Sequence, residues 1–418
     1  MNFTTIKQKI KEILIWSQKY TKTDMIYLAK GGFWLTFKQV ISSITSIILT
    51  IVFANFITKE TYGTYKYILS IVSILAIFSL PGINTSLTRS VAIGQNGSIN
   101  KIFFEKIKYG LIASFLSLLI ATYYFIQNNF ILGFCFIIPT LFIPFMESLN
   151  IYTSILQGKK KFKKISQYEI ISQVIFSIIM IIVVIFSKNI FLILLTYFII
   201  NTILRFIFYK KTNEKKELEA EVENKIISYG KNLSLINLIE IIASQIDKIL
   251  IWNFIGSSEL AVYAIATGIP IQIESFFKNI NTLAFPKLTT RSIFEIKKSL
   301  YKKICNFLIL IIPIITIYYF LSPVIFKIFL PEYLESIPYT QIFILHLIFI
   351  PIGLINYIFI AKAMKKNIYI SKISFSIIKI ILLLVLLPKF GVWGAIIAIL
   401  INSIFYTIIN LLLLEKST

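Results

Sequence analysis

Apolar runs long enough to cross the hydrocarbon core of a bilayer recur along the whole of this chain. A soluble domain on a single anchor would show one such run. A soluble globular protein carries roughly 25% charged residues; here 15% are charged and 57% hydrophobic. Twelve spans are predicted, over 33–56, 62–84, 107–126, 130–154, 166–186, 189–209, 233–255, 259–284, 304–321, 339–361, 369–387 and 391–414. They use roughly 240 to 260 residues and leave short loops. Helix pairs one–two, three–four, seven–eight and eleven–twelve are joined by tight turns, so those neighbours run antiparallel. The fold class is an all-α integral membrane protein of about twelve transmembrane helices.

The net charge of +23 would suggest nucleic acid in a soluble protein. Here the lysines cluster between apolar runs, as the positive-inside rule describes. The two termini and every second connection hold 32 of the 42 lysines and arginines, and the intervening connections hold five: Lys59, Lys66, Lys188, Lys327 and Lys389. That alternation puts both termini in the cytoplasm. No soluble segment is long enough for a nucleic-acid-binding domain, so nucleic acid is excluded as a partner. Cys135 and Cys305 lie in apolar runs and form no CxxC pair. A single histidine, His346, excludes a multi-histidine metal site, and no cofactor is expected. The longest intervening segment, 322–337, is too short for a domain. Residues 1–30 lack a signal-peptide pattern. Ile6, Ile10, Ile13 and Leu14 share a helical face, which suits an amphipathic helix on the cytoplasmic surface; a frayed basic tail is the alternative.

The two halves of the chain resemble each other. Asn55-Phe56-Ile57 recurs as Asn253-Phe254-Ile255, and Gly63-Thr64-Tyr65 falls on Ala261-Val262-Tyr263, both at an offset of 198 residues. At that offset Gln39, Ser42, Ser46 and Thr50 fall on Asn237, Glu240, Ser244 and Lys248. Six helices per unit is an even number, so the repeat is parallel, about an axis along the membrane normal. The expected division is a cytoplasmic N-terminal segment (1–32), a lobe of helices one to six (33–209), a charged cytoplasmic linker (210–231) and a lobe of helices seven to twelve (232–418).

Four segments carry a family resemblance. They are NFITKETYGTYKYILSIVSILAIFSLPGINTSLTR (55–89), QIDKILIWNFIGSSELAVYAIA (245–266), NTLAFPKLT (281–289) and LLPKFGVWGAIIAILI (386–401). In that order and spacing the chain resembles the polysaccharide and O-antigen flippases of the multidrug/oligosaccharidyl-lipid/polysaccharide exporter superfamily. Ala261 departs from the pattern, since the family often has glycine before the tyrosine of helix eight. The resemblance implies two six-helix lobes in a V around a central cavity, in a bacterial inner membrane. It implies a non-enzymatic flippase that moves an undecaprenyl-diphosphate-linked oligosaccharide, a repeat unit of O-antigen, capsule or exopolysaccharide, by alternating access. Membrane lipids, a proton or sodium ion and other glycan-assembly membrane proteins are the further partners it allows. The lipid II flippases are close cousins, typically of fourteen helices. The rival readings are a drug/cation antiporter of the same superfamily, which would want an acidic cavity, and a membrane-embedded glycan polymerase or ligase, which would want a large outward loop.

A polar headgroup crossing hydrocarbon needs a hydrated path, cations for its phosphates and hydrogen-bonding groups for its sugars. Ionisable residues inside membrane helices are costly and usually face such a path or one another. Lys248, Lys278 and Lys379 lie within spans and are expected to bind the diphosphate. Lys38 and Arg89 are further candidates, with snorkelling the plainer role for Lys38 and for Arg205, and loop anchoring the plainer role for Arg89. Asp247, Glu240 and Glu274 are expected to couple transport to an ion. Glu274 and Lys278 stand i, i+4 and suit a structural pair. Asp247 and Lys248 point about 100° apart, so each is expected to find its partner on another helix. Glu147 is left open between a structural and a cavity role. His346 is expected to be a packed or interfacial residue.

Overall fold

The computed structural model describes residues 25–94, 100–212, 220–290, 293–362 and 364–417, leaving the side chains of 25–31, 220–223, 236 and 278–290 outside that description. Every regular element among the described residues is helical. In chain order the long helices are α1 (Met25–Phe56), α2 (59–92), α3 (Asn100–Ile126), α4 (Phe130–Gly158), α5 (Phe162–Ser187), α6 (Ile190–Thr212), α7 (Ala220–Phe254), α8 (Ser257–Thr290), α9 (Ile293–Phe329), α10 (Ser336–Ala361), α11 (365–390) and α12 (391–415). Ten candidate membrane spans follow from length and hydropathy alone, with Lys365–Glu415 counted once. Gly391 breaks that segment into α11 and α12: its φ of 59° and ψ of −138° suit a residue without a Cβ. The twelfth helix, α7, falls short on hydropathy because its apolar half carries Glu240, Asp247 and Lys248.

Local chemistry explains where the helices start, stop and bend. The Thr58 hydroxyl caps α2 by accepting from the Thr61 N–H, and the Asn129 side chain caps α4 by accepting from the Leu132 N–H. Helix α2 is interrupted where Leu80 turns left-handed (φ 54°) before Pro81, because proline offers no N–H to continue the ladder. Helix α4 contains Pro139 and Pro144 and breaks at Asn150. Helix α10 is α-helical over Ser336–Phe343, a 3₁₀-helix over Ile344–Ile352 and α-helical again over Gly353–Ala361.

Two differences from the sequence reading concern connections. Helix α9 runs to Phe329, so the connection expected over 322–337 shrinks to the short turn before Ser336. Helix α7 begins at Ala220, so part of the expected linker 210–231 is helix and residues 213–219 lie outside the described residues. The amphipathic segment over 1–32 lies outside them too, apart from the first residues of α1.

The repeat is visible in the packing. Helix α1 packs on α5 as α7 packs on α11; α3 packs on α4 as α9 packs on α10; α4 packs on α6 as α10 packs on α12. Two six-helix lobes result. They share one apolar core, in which Phe53, Tyr62 and Tyr65 of the first lobe meet Tyr263, Phe326 and Tyr333 of the second. Large apolar side chains such as Phe115, Phe186, Ile309 and Phe320 point outward. In water they would be an aggregation liability; here they meet lipid.

The lobes touch through α2. At the lysine-poor end Gly63 lies so close to α8 that a Cβ there would sit 1.7 Å from the Ser257 carbonyl oxygen. At the lysine-rich end the Gly82 N–H donates to Ser234 Oγ of α7 (2.9 Å). A Gly63→Ala variant must therefore push the lobes apart, and overpacking of this kind costs about 1–3 kcal/mol. Thermal unfolding of the purified variant is expected to show a clearly lowered midpoint, whereas Gly268→Ala, with nothing within 4 Å of its Cβ and a helical backbone, is expected to show a much smaller change.

Candidate substrate cavity between the lobes

Four helices enclose a cavity at the seam: α1 and α2 from the first lobe, α7 and α8 from the second. Ser46 and Thr50, Tyr62 and Lys66, Lys248, Thr267 and Gln272 supply its polar lining, around about 180 Å³ of space. Its lining contains two lysines and no carboxylate. Lys248 Nζ donates to Gln245 Oε1 (2.8 Å). Lys66 Nζ lies over the Tyr62 ring, 5.0 Å from its centroid, a cation–π contact. Gln272 bridges the lobes: its Oε1 accepts from Ser43 Oγ (3.1 Å) and its Nε2 donates to Ser46 Oγ (3.1 Å). Both ends of the seam are tied. At the lysine-poor end Lys59 pairs with Glu335 (2.5 Å) and Ser258 Oγ donates to Glu60 (2.7 Å). At the lysine-rich end Lys101 Nζ donates to Asn224 Oδ1 (3.0 Å).

The repeat predicted from sequence orders these contacts. Thr50 and Lys248, related by the offset of 198, both line the interlobe cavity. Ser42 and Glu240, related by the same offset, each line a pocket inside their own lobe.

Sequence-predicted residues distribute as follows. Asp247 and Lys248 do diverge, but only Asp247 finds its partners on other helices; the Lys248 ammonium bonds to Gln245 on α7 itself. Lys248 faces the seam, while Asp247 faces α11 and α8, where Lys379 Nζ lies 3.6 Å from Oδ1 and the Tyr263 hydroxyl donates to Oδ2 (2.5 Å). Both charged side chains are at least nine-tenths buried. Lys379, expected in the substrate path, is therefore absent from the lining of the seam cavity; it neutralises Asp247. Glu240 pairs with Lys372 of α11 (2.7 Å), in a more exposed position one turn pair away. Lys38 does not snorkel freely but pairs with Glu169 of α5 (2.6 Å). It lines a polar pocket of about 290 Å³ within the first lobe, beside Asn150, Gln173, Asn201 and Arg205. Arg205 is paired with Glu147 (3.0 Å), so that neither is a free cavity charge. Arg89 lies over the Tyr229 ring at the lysine-rich edge of the seam (5.9 Å), in a shallow pocket with Ser86, Ser90 and Lys225. Glu274 faces His346 (3.7 Å). The side chain of Lys278 lies outside the described residues, so its expected pairing and phosphate role lie there too.

Two lysines were misread from sequence. Lys66 counts as a connection residue by position, yet stands inside α2 facing the seam. Its spacing of one turn from Tyr62 is the signal for a shared face. Lys106, also counted in a connection, is fully buried in α3, where Nζ donates to Asn84 Oδ1 (2.8 Å).

Residues 28–291 match the family model described as polysaccharide biosynthesis protein. Among solved structures, the chain is similar to the lipid II flippase MurJ in an inward closed conformation, with a TM-score of 0.75 and 15% identity over 94% of this chain and 88% of that one. A MATE transporter in complex with MaD5 matches with a TM-score of 0.64 and 10% identity over 94% and 96% of the two chains. A MOP superfamily transporter from Pyrococcus furiosus matches with a TM-score of 0.63 and 11% identity over 93% and 95%. At these identities the likeness is one of fold. Among curated proteins, the uncharacterized membrane protein MJ1068 of Methanocaldococcus jannaschii is 24% identical over 414 residues, 88% of this chain and 80% of its own.

Breaking a buried ion pair by removing one partner costs about 3–5 kcal/mol. Lys379→Met alone is expected to lower the thermal midpoint sharply, and the double variant Lys379→Met with Asp247→Leu to recover most of the loss. A single variant as stable as wild type would mean that Asp247 and Lys379 are not a pair in the membrane.

Proposed function

Because this chain belongs to the polysaccharide biosynthesis protein family, we propose that it is a flippase that carries an undecaprenyl-diphosphate-linked oligosaccharide, such as an O-antigen, capsule or exopolysaccharide repeat unit, across the cytoplasmic membrane. The observation that carries this reading is the seam cavity with two lysines and no carboxylate in its lining. Every membrane-embedded cation is expensive, and Lys38, Arg205, Lys372 and Lys379 all have carboxylate partners at 2.6–3.6 Å. Lys66 and Lys248 instead face one another's cavity through neutral contacts. A diphosphate is the ligand whose charge this arrangement suits. An organic cation would meet two ammonium groups, which disfavours the drug-antiporter reading.

The cavity volume sets the cycle. Pockets for drug-sized ligands run about 300–1,000 Å³, and the closed seam holds about 180 Å³. It accommodates the phosphate end only. The sugars need the lobes to part, while the prenyl tail stays in lipid. Parting at the lysine-poor end breaks Lys59–Glu335 and Ser258–Glu60; parting at the lysine-rich end breaks the Gly82–Ser234 and Lys101–Asn224 contacts. Gln272 lets go of α1 in either case. The termini and the lysine-rich face lie in the cytoplasm by the positive-inside rule, and Arg89 and Lys225 then stand where a phosphate first arrives.

Coupling to a proton or sodium ion requires a site whose affinity differs between the two states. Asp247, Glu240 and Glu274 are the candidate carboxylates. Lys379 and Lys372 supply the counter-charge to the first two in this closed state, so an external cation binds there only once α7 and α11 separate.

Export of lipid-linked glycan is the test. Lys66→Ala and Lys248→Ala are expected to lower the transport rate about tenfold or more each, because a hydrogen bond to a charged group is worth about 1.5–3 kcal/mol. Lys→Arg at either position is expected to retain part of the rate. Full rates in both alanine variants, at normal membrane levels, would remove the phosphate role of this cavity.

A further inference from the structure

The first lobe holds a polar space of its own, of about 290 Å³, lined by α1, α4, α5 and α6 towards their lysine-rich ends. Its charges cancel. Lys38 Nζ lies 2.6 Å from Glu169 Oε2, and Arg205 Nη1 donates to Glu147 Oε1 at 3.0 Å. The uncharged side chains are different. Ser42, Asn150, Ser172 and Gln173 line the pocket, and among the described residues none of their side chains has a hydrogen bond to protein. The Tyr152 hydroxyl lines it in the same condition. Asn201 Nδ2 donates to the Tyr197 carbonyl (2.8 Å), which leaves its Oδ1 open. In the pocket of the second lobe, by contrast, polar side chains bond one another: Glu240 with Lys372, His346 with Ser403 and Asn356 with Tyr406.

A polar group without a partner inside a membrane bundle is costly, so the first-lobe pocket holds water or a polar ligand. The open groups define that ligand. Two carboxamides offer four N–H donors and two carbonyl acceptors, and each hydroxyl both donates and accepts. Charges that already cancel give neither an anion nor a cation an advantage. An array of hydroxyls without net charge matches this set. Pockets for drug-sized ligands run about 300–1,000 Å³, so the pocket has room for a single sugar residue rather than a whole repeat unit.

Helix α1 joins this pocket to the seam. Lys38 and Ser42 line the first-lobe pocket, while Ser46 and Thr50 line the seam cavity. The four follow one another at intervals of four residues, which places Ser42 and Ser46 on neighbouring turns, about 6 Å apart along the axis. Gln272 of α8 bonds to Ser43 and Ser46 on the turn between the two spaces.

We propose that the first-lobe pocket is a sugar site, and that it binds the uncharged sugar residue next to the diphosphate while the phosphates lie in the seam. Binding of a sugar stands on the pocket alone; its attachment to a diphosphate rests on the flippase reading above. Ser42, Asn150, Ser172 and Gln173 bond the sugar hydroxyls, and the Lys38–Glu169 pair holds α1 and α5 at the spacing that frames them. Release of Gln272, which parting of the lobes requires, opens the way along α1 from one space to the other.

Alkylation of a cysteine in the pocket wall tests this. Ile170, an apolar lining residue, is replaced in the full-length protein as Ile170→Cys, with Cys135→Ala and Cys305→Ser removing the native thiols. The rate of labelling by a small water-soluble thiosulfonate is then followed in lipid nanodiscs. A ligand of about a dozen non-hydrogen atoms binds at about 1 mM, so free glucose, galactose and N-acetylglucosamine are tested at and above that concentration. At least one is expected to slow labelling threefold or more, and inorganic pyrophosphate and choline to leave it unchanged. Gln173→Leu and Asn150→Leu, made separately so that one unstable variant leaves the other readable, are expected to abolish the protection. In a second arm the protecting sugar is carried on undecaprenyl diphosphate. It is expected to protect at a concentration tenfold lower or more, because the seam supplies a second attachment, and to lose that gain in Lys66→Ala. Labelling that no sugar slows means a pocket that holds water only, and overturns the site. Protection by pyrophosphate equal to that by sugar, or protection that survives both leucine variants, overturns it too. A lipid-linked sugar no better than the free one overturns the shared placement of sugar and diphosphate. The free-sugar arm involves neither lipid nor transport, so a failure of this site and a failure of the flippase reading are told apart.

Discussion

Hydrocarbon offers no partner to a charge, and the arrangement of this molecule follows from that. Each ionised side chain within the spans must find an opposite charge, a polar neighbour or a wet cavity. Most find an opposite charge. Lys38 meets Glu169, Arg205 meets Glu147, Lys372 meets Glu240 and Lys379 meets Asp247. The lysines at the seam have neutral neighbours instead. A helix bundle has no need of such residues for stability, since a well-packed apolar substitute is often neutral or better than even a buried ion pair.

The internal repeat turns this sorting into an architecture. Each lobe ties its first helix to its fifth with a lysine–glutamate pair, and the polarity is reversed: lysine on α1 and glutamate on α5, then glutamate on α7 and lysine on α11. Each lobe also keeps a pocket lined by its own helices. The lobes are thus internally braced by charge. They meet each other through the shared apolar core around Phe53, Tyr62 and Tyr263, and beside it through hydroxyls, amides, close glycine contacts and a lysine–glutamate pair at one end. The polar bonds beside that core exchange with water at little net cost, whereas the apolar contact does not.

Much of this was legible before the fold was known. The twelve spans emerged from apolar run length, and α11 and α12 part at Gly391, where the second of their two runs begins. The divergence of Asp247 and Lys248 followed from helical geometry alone, and the offset of 198 residues placed Thr50 and Lys248 on one cavity. The misreadings are equally physical. Lys66 and Lys106 were assigned to connections because a lysine near a helix end is ordinarily solvated; only the neighbouring helices bury them. Lys379 was assigned to the substrate path because an unpaired mid-span lysine needs a reason to exist, and its reason is Asp247, 132 residues earlier. His346 was expected to be packed or interfacial and is mostly buried; that it faces Glu274 depends on the rotation of α8 against α10.

The sequence by itself therefore determined the number of crossings, the asymmetry of charge between the two faces, the repeat and the set of costly buried ions, since each is a property of a single helix or a count along the chain. Tertiary structure alone decided which of those ions cancel and which remain. That outcome turns on how helices far apart in sequence rotate against one another, and hydrophobic periodicity, which reads one helix at a time, carries no record of it.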